Sequence, residues 1–221
     1  MLSIWDARHR HPVVEWLEQR LMLATWIGGG PDNNWSDGAN WAGGVAPTAD
    51  DSIIFPATAL SYTSVDDFAA GTQLRSIALE GSGYSITGNG VALLEGITAA
   101  NTSGTNTLNF PLTLGASQTF VSGNAGATLA LGSLATIDTG DLLVLTLDGA
   151  GNFNLAGSIS DEGSLVKDGS GTAFISAANS YDGQTTINTG AVNISSATAL
   201  GSTAAGTVVN AGAALQLQSS G

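Results

Sequence analysis

The chain of 221 residues contains no cysteine, which excludes disulfides and every thiolate-ligated metal site. It is also poor in charge. Asp, Glu, Lys and Arg make up 10% of it, against roughly 25% in an ordinary globular domain. Cations are the scarcest class. Arg8, Arg10 and Arg20 balance Asp6, Glu15 and Glu18 within the first twenty residues. Beyond them only Arg75 and Lys167 face fifteen acids, so the body carries the whole net charge of −13. Such a body repels phosphate, which excludes nucleic acid as a partner, and it repels an anionic lipid surface. No run of 18 apolar residues exists, so no membrane insertion by a helix of this segment is expected. Proline is sparse as well, with five residues.

Glycine is in excess, at 30 residues, and the hydrophobic share is 43%. A disordered acidic tail would be depleted in Val, Ile and Leu, so this is a folding chain. Many glycines with Thr, Asn and small residues suit short strands joined by tight turns. The acidity reads as solubility for an edge-rich protein. Nor does the lack of cysteine argue for the cytosol, because a stack of repeats gains stability from its own length.

Composition divides the chain into three parts: 1–24, 25–72 and 73–221. Residues 12–24 predict a short amphipathic helix, with Pro12 at the first helical position and Val14, Leu17 and Leu21 at spacings of three and four. Glu15, Glu18 and Arg20 interrupt the apolar stretch and make it a poor ordinary signal peptide. Leu17-Glu-Gln-Arg-Leu-Met-Leu-Ala24 resembles a short Leu-Glu-x-Arg-x-Leu-Leu-type segment of large exported bacterial proteins. Residues 25–72 place Trp26, Trp35 and Trp41 among Gly, Asn and Asp, followed by a strand at 51–55. Two readings compete there. Exposed indoles could form a sugar-stacking platform, or buried ones could seal the open end of a stack that would otherwise expose unpaired backbone.

From residue 73 the pattern becomes short alternating segments bounded by Gly, Asn, Asp or Ser: 74–79, 107–110, 112–114, 128–131, 142–147, 185–188 and 207–210. Sandwich and barrel remain open on this pattern, and periodicity decides. Asn-x-Gly-Ala occurs at 124–127, 188–191 and 210–213. The last two copies start 22 residues apart and the first two 64 apart, close to three times 21–22, which signals a solenoid. Glycine at the third position suits a positive-φ corner, and asparagine at the first suits a ladder between coils. Leu129 and Leu131, like Leu215 and Leu217, fall three and five residues past their glycine; Val192 and Ile194 fall two and four past theirs. That corner must be one residue shorter, because a slip would turn these side chains outward. The column so defined puts Asn188 directly beside Asn210 on neighbouring coils, with Asn124 on the same edge three coils earlier.

Lys167-Asp-Gly-Ser-Gly-Thr172, Ala178-Asn-Ser-Tyr-Asp-Gly183, Thr185-Thr-Ile-Asn-Thr-Gly-Ala191, Ala199-Leu-Gly201 and Val209-Asn-Ala-Gly-Ala-Ala-Leu215 resemble the autotransporter-associated β-strand repeat. Residues 25–144 look like the divergent leader that precedes such repeats. The resemblance implies an all-β, right-handed parallel β-helix, exported or held at a bacterial cell surface as a scaffold or adhesive stalk. It implies no catalytic residues and no cofactor. A translocator barrel is missing from these residues.

The serious rival is a carbohydrate-active or carbohydrate-binding β-helix. A hydrolase would need clustered carboxylates, and a lyase a base beside bound calcium. The acids pair only as sequence neighbours, at Asp50-Asp51, Asp66-Asp67 and Asp161-Glu162, which on strands face opposite ways. Lys167 reads as a corner anchor. No calcium-binding nonapeptide or EF-hand loop occurs, and Gly81-Ser-Gly-Tyr-Ser-Ile86 has neither the lysine nor the helix of a phosphate loop. His9 and His11 are not read as metal ligands. The partner expected is a surface or glycan ligand of unknown identity. Ending at 218–221 straight after a strand, the chain is expected to be a fragment with further repeats downstream, prone to end-to-end association.

Overall fold

The computed structural model describes residues 23–218. Residues 1–22 lie outside them, and with them most of the expected helix over 12–24, the export-type segment up to Met22, and His9 and His11. Leu23 and Ala24, placed at the end of that helix by the sequence, belong instead to the strand Leu23–Thr25. Among the described residues the only helical turns are the short 3-10 pieces Gly38–Asn40 and Ala42–Gly44.

Every strand pairs parallel to its neighbours, so the chain winds as a β-solenoid. One eight-stranded ladder runs Thr63–Asp66, Ser85–Gly88, Ser103–Asn109, Gly126–Leu131, Asn152–Leu155, Thr172–Ile175, Ala191–Ile194 and Ala214–Leu217. The second ladder starts at Leu23–Thr25 and passes through Ser52–Phe55, Thr72–Leu79, Val91–Ala99, Gln118–Ser122, Val144–Asp148, Ser164–Lys167, Thr185–Ile187 and Thr207–Val209. Short strands at Leu112–Leu114, Ile137–Asp138 and Ile159–Ser160 extend the first half of Val91–Ala99 into a third face. The chain turns from that face to the next at Gly96, whose φ is 109° and where a Cβ would sit 2.3 Å from the Thr119 carbonyl oxygen. Only glycine fits that bend.

The core follows from alternation along the strands, broken where the register shifts between Leu74 and Ser76. In the second ladder Ile53, Ile77, Ile97, Phe120, Leu147, Lys167 and Ile187 form one inward column. In the first, Ile86, Leu108, Leu131, Leu155 and Ile175 form another. Coil length varies from 19 to 29 residues, as the steps Ile175 to Ile194 and Leu23 to Ser52 show. Corners absorb the difference, which leaves the strand register intact.

The register expected around the second and third Asn-x-Gly-Ala copies is the observed one. Val192 pairs with Leu215 and Ile194 with Leu217, and the shorter corner ends at Gly190 with φ 68°. The side chains of Asn188 and Asn210 meet, Asn210 Nδ2 donating to Asn188 Oδ1 at 2.6 Å. Asn124 departs from the expectation. The residue three coils before Asn188 in its column is Val121, with Asp148 and Asp168 between. Nine residues separate Phe120 from its inward successor Leu129, against six from Leu147 to Phe153, so Asn124 slides three positions into a longer corner. Its Nδ2 donates to the carbonyls of Ala100 and Asn101, both at 3.0 Å. Gly126 likewise opens a strand and lacks a positive φ. Two smaller differences concern boundaries. Leu142, expected to open a strand, has φ 60° and is exposed, and the strand starts at Val144. Strand pairing also begins well before residue 73, since Ser52–Phe55 and Thr63–Asp66 already stack on the coil that follows.

Candidate functional site

The tryptophans sit at the N-terminal end of the stack and are inaccessible: Trp26 and Trp35 are 0% exposed and Trp41 1%. Trp26 and Trp41 meet edge to face with ring centroids 5.3 Å apart, and both Trp26 and Trp35 lie 6.0 Å from Phe55. Each indole N–H has a partner: Trp26 donates to the Ser61 carbonyl at 2.8 Å, Trp35 to Ser64 Oγ at 3.1 Å and Trp41 to the Trp35 carbonyl at 2.7 Å. Buried, satisfied rings offer no face to a sugar. They lie over Phe55 at the end of the stack like a lid.

Backbone pairing fastens that lid. Trp35 N–H donates to the Val65 carbonyl at 2.9 Å, and Val65 N–H to the Asn33 carbonyl at 2.8 Å, which covers the first strand of the eight-stranded ladder. Asp67 adds a clamp by accepting from Ser36 N at 2.8 Å and Ser36 Oγ at 2.5 Å. Beside it Asp66 is buried, accepting from Phe68 N and Gly90 N, both at 3.1 Å. Burial pushes its pKa up to about 6 from 3.8, against the two hydrogen bonds that favour the ionised form. The native pKa therefore stands above the unfolded one. Stability from this group is complete below about pH 4 and is lost as pH rises through 6. Lowering the pH from 7.5 to 5 should thus stabilise the parent more than an Asp66→Asn variant, by about 1.4 kcal/mol, since pH 5 lies one unit below the native pKa and each unit is worth 1.36. Urea unfolding of both proteins at the two pH values measures it; equal slopes with pH would contradict the assignment.

The other acids are tied into turns. Asp50, at φ 68°, accepts from the Gln73 side chain, and Asp51 accepts from Thr48 N and Oγ1 at 2.7 and 3.1 Å. Asp161, at φ 83°, accepts from Glu162 N at 3.0 Å. None of these pairs converges on a third acid, and the described residues hold no group of three His, Asp or Glu placed to share a metal ion.

Lys167 occupies an inward position and is 0% exposed, yet its chain reaches the corner. Nζ donates to the carbonyls of Asp168, in a short contact, and Gly169, at 2.9 Å. Desolvation lowers its pKa below 10.5, while Asp148 and Asp168 pull the other way. The corner itself leaves no room: a Cβ on Gly171 would lie 1.8 Å from the Gly151 carbonyl oxygen. Outside, Asp168 accepts from Asn188 Nδ2 at 2.8 Å, continuing the column that ends at Asn210. Lys167 is a corner anchor, as the sequence suggests, and its position argues against a role as an exposed base.

Sequence reasoning missed the outer face of the eight-stranded ladder. Its central column runs Thr63, Ser85, Thr107, Ala130, Asn154, Phe174, Asn193 and Gln216, with no charge along it. A shallow groove of about 270 Å³ opens there between Asn154, Phe174, Ser176, Asn193 and Gln218. Fixing the period over all coils would have found the column, because its members share one register position.

Residues 165–194 match the passenger-associated-transport-repeat family. The chain contains an autotransporter passenger repeat. It runs from the strand carrying Lys167 to the strand ending at Ile194, and so takes in the lysine corner, the Asn179–Tyr181 turn and Asn188. In that turn Asn179 Oδ1 accepts from Ile159 N at 2.8 Å, and the buried Tyr181 hydroxyl meets Thr185 Oγ1 at 2.6 Å. The chain is also similar to the adhesin BmaC autotransporter of Brucella suis, with 31% identity over 184 residues. That match covers 76% of this chain and 5% of the relative, so the chain spans a small part of that protein's length. No solved structure matches the chain. Together the repeat, the adhesin relative and the parallel solenoid describe a bacterial surface or secreted passenger-type protein.

Proposed function

We propose that the chain is a non-catalytic segment of a cell-surface adhesive stalk, in which the solenoid holds an extended outer face away from the cell. The carrying observation is an uninterrupted parallel stack whose central outward column on one ladder is uncharged from Thr63 to Gln216 and polar except at Ala130 and Phe174. A stalk needs length and rigidity, and stacking supplies both because each coil is braced by its neighbours. The adhesin relative supports the direction of this reading, and fold alone would not.

Beads coated with the purified chain should adhere to host matrix or cells above beads coated with an unrelated acidic protein. The same preparation should leave polysaccharides intact. Polysaccharide turnover that a single carboxylate substitution abolishes would overturn the non-catalytic reading. Beads that adhere no better than the control would overturn the adhesive one.

A further inference from the structure

On the outer face of the eight-stranded ladder an aromatic ring meets water. Phe174 stands in the central outward column, 39% exposed, with Asn154 beside it on the preceding coil and Asn193 on the following one. Two strands, Ala191–Ile194 and Ala214–Leu217, separate it from the end of the described residues. The groove of about 270 Å³ opens against this ring, with Ser176 and Ser195 along its corner side. Asn193 donates through Nδ2 to Gln216 Oε1 at 3.3 Å, while its Oδ1 is buried with no donor among the described residues. A buried acceptor without a partner is costly, so a ligand that brings a hydroxyl to it relieves a penalty present in the free protein.

We propose that this groove binds a single neutral pyranose ring. The inference rests on the adhesive reading above and deepens it by naming the class of ligand. An aromatic ring flanked by amides and hydroxyls matches a sugar: the C–H face packs on Phe174, and the sugar hydroxyls exchange hydrogen bonds with Asn154, Asn193 and the two serines. The column bears no charge and the chain as a whole stands at −13, so an acidic sugar or a phosphorylated ligand is repelled. An extended peptide has no strand edge to join, because Thr172–Ile175 is already paired to Asn152–Leu155 on one side and to Ala191–Ile194 on the other. The volume lies below that of a drug-sized pocket and suits one ring.

The test titrates glucose, galactose, mannose and N-acetylglucosamine into the full chain and follows the side-chain amides of Asn154 and Asn193 by NMR. At least one sugar should shift both amides saturably, with a dissociation constant on the order of millimolar, the range open to about a dozen heavy atoms. Phe174→Ser, an outward change, should weaken that sugar about tenfold while amide exchange at 172–175 stays slow, and Phe174→Trp should retain it. Glucuronate and an extended tetrapeptide should leave the amides unmoved. No saturable shift from any of the sugars overturns the proposal, as does binding that survives Phe174→Ser or a larger response to glucuronate or the peptide. The adhesive reading fails separately. Sugar binding by a chain whose coated beads do not adhere overturns that reading alone, whereas adhering beads on a chain that binds no sugar overturn this subsite alone.

Discussion

Replacing Gly171 by alanine is expected to cost about 3 kcal/mol or more, at the upper end of what overpacking does in a well-filled interior. The added carbon would lie 1.8 Å from the Gly151 carbonyl oxygen of the preceding coil. Neither side can yield cheaply, because both are backbone: Gly171 N–H donates to the Gly149 carbonyl at 3.1 Å, and Ala191 N–H to the Gly171 carbonyl at 3.4 Å. Gly206→Ala is the matched comparison. Gly206 has φ 74° with nothing within 4 Å of its added carbon, so the variant carries conformational strain alone, about 1 kcal/mol. Urea denaturation of the two variants reads the contrast. Equal losses would mean that the coils are not in contact at this corner.

Trp35→Ala should remove about 3–5 kcal/mol, the range for large aromatic truncations in a core. The ring is fully buried and packs against Trp41, Phe55, Phe68 and Phe110, all with centroids within 6.3 Å. Because the solenoid is nearly one-dimensional, the damage should start at the cap and spread inward. Hydrogen exchange should therefore accelerate first at Ser52–Phe55 and Thr63–Asp66, while Thr172–Ile175 stays protected. A loss below 1 kcal/mol, or uniform acceleration along the stack, would contradict the capping role.

The sequence carries much of this fold because glycine and asparagine mark corners and the strands between them alternate. The pair Asn188 and Asn210 reveals its register because neighbouring coils differ there by one corner residue. Asn124 misleads for a physical reason. Early coils have long corners, and a tetrapeptide can recur inside one without holding the same place on the stack. Leu142 misleads similarly, since its apolar side chain continues the strand pattern while its backbone turns at φ 60°. The tryptophan unit shows the same limit in the candidate site. Three indoles among Gly, Asn and Asp fit a sugar platform and a lid equally well, and only their burial separates the two. Lys167 stands out as one of two cations in the body, yet its inward direction depends on register that one residue cannot supply. The raised pKa of Asp66 was hidden for a like reason, because it comes from burial, which the packing of the coils decides and the residue alone does not.

The absence of cysteine offers the most direct measurement. In the paired variant Asn188→Cys with Asn210→Cys, the two thiols occupy neighbouring parallel strands roughly 4.8 Å apart, inside the separation that a disulfide spans. Mild oxidation should close that bridge in the folded monomer. The control pair Val121→Cys with Asn188→Cys should stay reduced, since three coils separate these two members of one column at roughly 14–15 Å. Closure of the first pair and not the second is what a parallel stack in this register predicts. A first pair that stays open in folded protein, or a control pair that closes within one chain, would contradict the solenoid and the surface-stalk reading built on it.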